Sequence, residues 1–334
     1  MKKILIRADA SHKMGTGHVM RCLALAMAAR SRGWAPLMAV HSESLWVLER
    51  LKQEEISCQI LPGLPPAAEK PDELKRQIDA YEPEAVVLDG YHFGPDCQKL
   101  LFGRLPLLVV DDYGHLPEYV ADLLLNQNPG SETIDYKGEI GRKLLGPRFA
   151  LLRPEFALAR QKAKLRVWPE KPENILLSLG GGNFIEHLEM LAPGLSIPEM
   201  AGKTLKILAG SMEPEKIRAA LANVTAATVE ILTAVTDMPS LLLETDLCIT
   251  AGGSTTWELC CLGAPFLTVE VAENQREIVN ELNRLGLAPR FSAATLRLEL
   301  DGAGVARREN IMKVTDGLGC DLVLDALTGV QLCT

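Results

Sequence analysis

The chain has 334 residues, 47% of them hydrophobic, with 35 Lys+Arg against 43 Asp+Glu and a formal net charge of −8. That length implies about two domains, each large enough to bury a core. The acidic excess argues against a general nucleic-acid binder, which needs clustered Lys and Arg to neutralise phosphates, and 5% aromatic residues argue against stacking platforms for single strands.

The N-terminus, MKKILIRADA, has too short an apolar run for a signal peptide and reads as a strand at 3–6. No apolar stretch approaches the ~20 residues of a membrane span, so a cytoplasmic protein without membrane contact is expected. A Gly-containing loop and a helix from about 18 to 31 follow the first strand. Further strands are expected at 36–40, 85–88, 107–110 and 122–125, the alternation that a helix-covered parallel sheet produces. Across 146–172 the pattern changes to a charged, Pro-containing stretch without an apolar stripe, which reads as a hinge at about 158–172. Strands then recur at 174–179, 204–208, 228–232, 246–250 and 266–270. The expectation is two α/β domains, 1–160 and 170–334, facing a central cleft, with chemistry on loops at the carboxyl ends of their strands. The eight cysteines form no C-x-x-C and read as small core residues, with neither a metal centre nor disulfides expected.

Two loops carry the chemistry. In the first, Arg7-x-Asp9-x-Ser11-x-x-x-Gly15-Thr16-Gly17-His18-x-x-Arg21 joins strand to helix. Gly15 and Gly17 allow close backbone approach or positive φ, but the order is neither a dinucleotide fingerprint nor a Walker loop. The loop places an imidazole at a helix N-terminus, where the dipole favours the neutral form that a general base needs; the plainer role for His18 is helix capping or packing. Arg21, one turn on, is placed to pair with Asp9, with a ligand, or in a structural ion pair.

The second loop is DLCITAGGSTTWE at 246–258. Gly252 and Gly253 open a nest of N–H groups to which Ser254 and Thr255 add hydroxyls, which suits a phosphate at a helix N-terminus. Glu258, one turn in, is placed for the two hydroxyls of a ribose, or alternatively closes a capping box as Thr255-x-x-Glu258. Asn274 and Gln275 follow the last strand. Gly181 and Asn183 lie in the Gly-rich turn at 180–183, which suits approach to a diphosphate or sugar.

These residues resemble a known family. A-G-G-S-T-T-W-E-L-x-x-L-G-A-P with A-E-N-Q after it is similar to the nucleotide-binding half of GT-B glycosyltransferases. With the 7–21 motif, V-V-L-D-G-Y at 86–91, V-V-D-D at 109–112 and L-L-G-P-R-F-A-L-L-R-P-E-F at 144–156, the chain resembles the UDP-2,4-diacetamido-2,4,6-trideoxy-β-L-altropyranose hydrolases of pseudaminic acid biosynthesis and their spore-coat polysaccharide relatives. The resemblance spans 3–280. It implies a GT-B fold of two Rossmann-like domains and metal-independent, cofactor-free cleavage of a UDP-sugar. It further implies His18 as catalytic base, Asp9 and Tyr91 on the sugar side, and Glu258 at the ribose; Asp9 is then available to orient the imidazole or to contact sugar amides. Two departures, Gly90 within Asp89-Gly90-Tyr91 and Tyr113-Gly114-His115 after Asp111-Asp112, fall in the sugar-side domain. A glycosyltransferase, a 2-epimerase and a nucleotide-sugar-binding protein without catalysis are the alternatives; the oligomeric state is not specified.

Overall fold

The structure, a computed structural model, describes residues 1–331 apart from 12–14, 43, 66–67 and 234, with the side chains at 45 and 46 also left out. It divides into two compact units, Met1–Pro154 together with the stretch from Gly317 onward, and Glu155–Asp316.

The first unit is built on seven parallel strands: β1 (Lys3–Ala8), β2 (Ala35–Val40), β3 (Ser57–Ile60), β4 (Ala85–Asp89), β5 (Leu107–Val110), β6 (Tyr119–Asn126) and β7 (Gly138–Leu145). Their order is β3-β2-β1-β4-β5-β6-β7. In β1 the pleat sends Ile4, Ile6 and Ala8 into one apolar cluster and Leu5 into another with Val86, Leu88 and Phe93. A sheet with both faces buried must be covered by helices on both sides, which is why these strands read as continuous apolar runs. β3 and β7 were not expected from the sequence. They are the edges and largely solvent-exposed, so SCQI and GEIGRKLL carry no apolar run.

The Ala-rich helix Gly17–Ser31 is buried on most of its circumference, and alanine gives it high helix propensity. The C-terminal helix Gly319–Thr328 also packs in this unit. Cys320, Val323, Leu324 and Leu327 recur at helical spacing and join the cluster that contains Val19, Leu23 and Ala26. Each buried aliphatic side chain of this kind contributes about 1.5–3 kcal/mol. A Cβ on Gly319 would lie 2.2 Å from the Ala150 carbonyl oxygen, so glycine is required at that contact. Arg32 pairs with Asp321 and Asp325 at 2.6 Å each. The sequence division assigned this helix to the C-terminal domain; an apolar stripe specifies that a helix is buried, not which surface buries it.

The second unit contains β8 (Asn174–Ser178), β9 (Thr204–Leu208), β10 (Thr228–Leu232), β11 (Leu247–Ala251) and β12 (Phe266–Val269), all parallel in the order β10-β9-β8-β11-β12. Helix Pro154–Leu165 occupies most of the segment that reads as a hinge. Its buried face is narrow, only Phe156, Ala159 and Ala163, too few for a visible stripe. Arg160 holds it in place by donating to the carbonyls of Cys261, Met312 and Thr315.

In both units the strand order reverses direction once, between β1 and β4 and between β8 and β11. A crevice opens at such a switch point because the two flanking loops leave in opposite directions. Of the cysteines, six are buried, Cys58 is exposed and none is bonded to another; Cys333 lies outside the described residues. No helix among the described residues is long and apolar enough to cross a membrane.

Candidate active site

The loops at the first switch point bring His18 onto a carboxylate. His18 is the second residue of its helix, and β1 pairs with β4 in a register that sets Ala8 against Asp89. His18 Nδ1 lies 2.7 Å from Asp89 Oδ1. Arg21, one turn along, donates from Nε to Asp89 Oδ2 at 2.7 Å and from Nη2 to Asp89 Oδ1 at 2.7 Å. Its Nη1 reaches Asp112 Oδ1 at 2.7 Å, and Tyr91 donates its hydroxyl to Asp112 Oδ2 at 2.9 Å. The Tyr91 ring meets the His18 ring edge-on, centroids 5.0 Å apart.

Burial pushes the Asp89 carboxyl up, but Arg21 and His18 outweigh it and hold it well below the usual carboxylate range. Asp112 is likewise lowered, chiefly by Arg21 against the same desolvation. An ionised Asp89 can only accept, so His18 Nδ1 carries the proton and Nε2 presents its lone pair. Arg21 balances one of the two carboxylates.

Asp9 stands apart from His18. Its Oδ1 accepts from Arg7 Nη1 at 2.9 Å and from the His41 backbone N–H at 2.7 Å. His92 Nε2 lies 2.8 Å from its Oδ2, at ion-pair distance but outside hydrogen-bond geometry. The carboxylate that orients His18 is therefore Asp89, not Asp9. The sequence offered Asp9 for this role; the long-range pairing of β1 with β4 supplies Asp89 instead. Arg21 pairs with Asp89 and Asp112 for the same reason. Burial raises the Asp9 carboxyl, yet His92, Arg7 and the His41 N–H hold it well below its ordinary value.

Among the described residues, Asp9, Glu69 and His92 are the one group with metal-ligand spacing, their donor atoms within 4.8 Å of one another. Arg7 Nη2 also donates to Glu69 at 2.8 Å, so one guanidinium already binds both carboxylates. The chemistry of this cluster is that of a buried ion network.

Asp111, next to Asp112, accepts four hydrogen bonds: from His115 Nδ1 (2.6 Å), the Gly114 N–H (2.6 Å), and the hydroxyls of Tyr119 and Tyr136 (2.8 Å each). Burial raises its carboxyl, and these donors more than offset that, holding it down to about 2. The folded value lies below the unfolded one, so the stabilisation is complete above about pH 4 and disappears as pH falls through 2. Its size is about 2 kcal/mol. Denaturant titrations of Asp111→Asn are expected to show a flatter fall of stability between pH 4 and 2 than the parent protein; an identical pH dependence contradicts this assignment.

The second unit gathers its glycines at its own switch point. Helix Ser254–Leu262 starts after Gly253, which has no side chain to cap it, and a Cβ at Gly253 would meet nothing within 4 Å. Since Gly253 is the N-cap, Thr255 is already the second helical residue and Thr255-x-x-Glu258 is not a capping box. Ser254, Thr255 and Glu258 are half-buried around this helix start. Gly252 is small for a different reason: a Cβ there would lie 3.0 Å from Val279 and 3.2 Å from Gln275. Gln275 turns back to accept from the Val271 N–H at 3.2 Å, and Asn183 accepts from the Ile185 N–H at 3.3 Å. Gly181 and exposed Asn183 follow β8, and exposed Asn274 follows β12. In the first unit, Gly15 has φ +74° and donates to the Ser11 carbonyl at 2.8 Å, and Gly17 opens the His18 helix. Sequence reasoning missed Asp89 and Asp112 as site residues, although each follows an apolar strand, where this architecture places ligands.

Residues 187–296 match the glycosyltransferase family 28 C-terminal domain. The structure superposes on MurG of Acinetobacter baumannii with a TM-score of 0.67 at 18% identity, covering 99% of this chain and 100% of that one. The fold is GT-B. In sequence the chain is 26% identical to uncharacterized protein MJ1062 of Methanocaldococcus jannaschii over 84% of its own length and 58% of that protein. It is 29% identical to spore coat polysaccharide biosynthesis protein SpsG of Bacillus subtilis (39% and 38%). With the UDP-2,4-diacetamido-2,4,6-trideoxy-beta-L-altropyranose hydrolase of Campylobacter jejuni it shares 28% identity (54% and 60%). It thus spans between 38 and 60% of the length of these relatives. The chain is similar in sequence to the spore-coat and hydrolase proteins, and its two units, each built on a parallel sheet, correspond to the two Rossmann-like domains of the GT-B fold.

Proposed function

We propose that this GT-B protein hydrolyses a UDP-linked acetamido-deoxy sugar to free sugar and UDP, with His18 as general base. The observation that carries the reading is the Asp89–His18 pair, which leaves Nε2 as a base at the first switch point. Water loses its proton to Nε2 as its oxygen bonds the anomeric carbon, and the bond from that carbon to the diphosphate oxygen breaks with its electron pair leaving on UDP. One displacement of this kind inverts the anomeric centre. Diphosphate is a good leaving group, and N–H groups at the uncapped start of helix Ser254–Leu262 are suited to its charge. Glu258 is assigned to the ribose hydroxyls. Glu258→Ala is expected to weaken UDP binding about 10-fold, read by calorimetry, and an unchanged Kd removes it from that role.

Transfer of the sugar to an acceptor hydroxyl is the second reading, favoured by the match to a glycosyltransferase domain. Incubation with a panel of UDP-sugars, following nucleotide and sugar by NMR, separates the two. Free sugar and UDP without an acceptor are expected. Release only after an acceptor is added makes the protein a transferase, and no release from any member, with UDP still bound, leaves a binding protein.

A further inference from the structure

The site contains a second imidazole that the proposed reaction does not use. His115 repeats the arrangement of His18: its Nδ1 lies 2.6 Å from a buried carboxylate, Asp111, and its ring meets Tyr91 at a centroid distance of 5.0 Å. Tyr91 therefore contacts both rings, which places His115 no more than about 10 Å from His18. Tyr113, 46% exposed, lies edge-on to Tyr91 at 5.3 Å and tilted against His115 at 5.8 Å.

The protonation of His115 follows from its partner. Asp111 receives three other hydrogen bonds and only accepts, so the proton sits on His115 Nδ1. The His115 side chain is 91% buried, since 9% of it is exposed, and its Nε2 has no hydrogen-bond partner. A buried nitrogen lone pair facing no donor costs free energy unless a ligand supplies one. His115 Nε2 is thus a buried acceptor without a partner, on a ring that meets the same Tyr91 as His18 does.

We propose that His115 is a substrate-binding residue that selects the sugar: its Nε2 accepts a hydrogen bond from an acetamido N–H or a hydroxyl of the hexose, while the Tyr113 ring borders the sugar's C–H face. Aromatic rings and a few fixed polar atoms are the usual means by which a site orients a ligand of mixed polarity. The inference rests on the reading of this site as a sugar-nucleotide site, and it does not depend on hydrolysis.

Two substitutions separate this role from a structural one. His115→Asn keeps an amide N–H where Nδ1 donates to Asp111 but removes the Nε2 position. His115→Gln places a polar atom at the Nε2 position and gives up the Nδ1 bond. Calorimetric Kd values for UDP-N-acetylglucosamine and for UDP are to be measured with the parent protein and both variants, alongside thermal midpoints. The expected result is a 10-fold weaker Kd for UDP-N-acetylglucosamine in His115→Asn, with UDP unchanged within twofold, and recovery to within threefold of the parent in His115→Gln. An unchanged sugar-nucleotide Kd in His115→Asn overturns the proposal, as does an equal loss of UDP affinity, or a parent protein that binds UDP-N-acetylglucosamine no better than UDP. If these binding results hold while no UDP-sugar releases free sugar, the hydrolase reading fails and the role of His115 stands.

Discussion

His18→Ala is expected to lower kcat for UDP-sugar hydrolysis by about 10²–10⁴-fold, the usual contribution of a positioned general base, while UDP affinity stays within twofold. The asymmetry follows from where the groups sit. The imidazole belongs to the first unit, whereas the glycine turn and helix start assigned to UDP belong to the second. Loss of the ring does not leave Asp89 unpaired, because Arg21 still donates to both of its oxygens. The variant should therefore fold, and a thermal midpoint within a few degrees of the parent is part of the expectation. Steady-state release of UDP, with calorimetric UDP binding on the same preparation, tests it. Turnover at the parent rate would take the base role away from His18.

Asp89→Asn is the second large effect, expected at about 10²–10⁴-fold in kcat with little change in KM. Asp89 Oδ1 accepts from both His18 and Arg21 Nη2, and Oδ2 accepts from Arg21 Nε. An asparagine offers only one oxygen for these three donors. If that oxygen faces Arg21 Nε, the amide N–H₂ faces His18 Nδ1 and drives the proton to Nε2, which abolishes the base. If it faces His18, an N–H₂ opposes Arg21 and the buried guanidinium loses half of its pairing with Asp89. Some stability is lost in either case, since removing one partner of a buried ion pair costs about 3–5 kcal/mol, so thermal midpoints accompany the kinetics. A kcat near the parent value would show that the Asp89 contact does not set the tautomer.

Much of the architecture is legible in the residues. Ten of the strands lie where the sequence places them, and those covered on both faces need apolar residues throughout. The two edge strands of the first sheet, Ser57–Ile60 and Gly138–Leu145, carry no such run, since most of their residues meet solvent. Helix Pro154–Leu165 is hidden for a related reason. Its burial rests on Phe156 and two alanines, and the arginine that anchors it looks like part of a charged linker until its carbonyl partners are seen.

By itself the sequence determined the alternation of strand and helix in both halves, the glycine-rich turns after the strands, and His18 near the start of its helix. These are local properties, set by periodicity, glycine conformation and the few residues on either side. Only the tertiary structure decided which carboxylate holds His18, where Arg21 points and which unit receives the last helix. Asp89 is 71 residues from His18, and the parallel pairing of β1 with β4 makes them neighbours, while Asp9, nine residues away, is drawn into the network of Arg7. Chain distance says nothing about such a contact. It is fixed by strand order, and strand order is a property of the whole sheet.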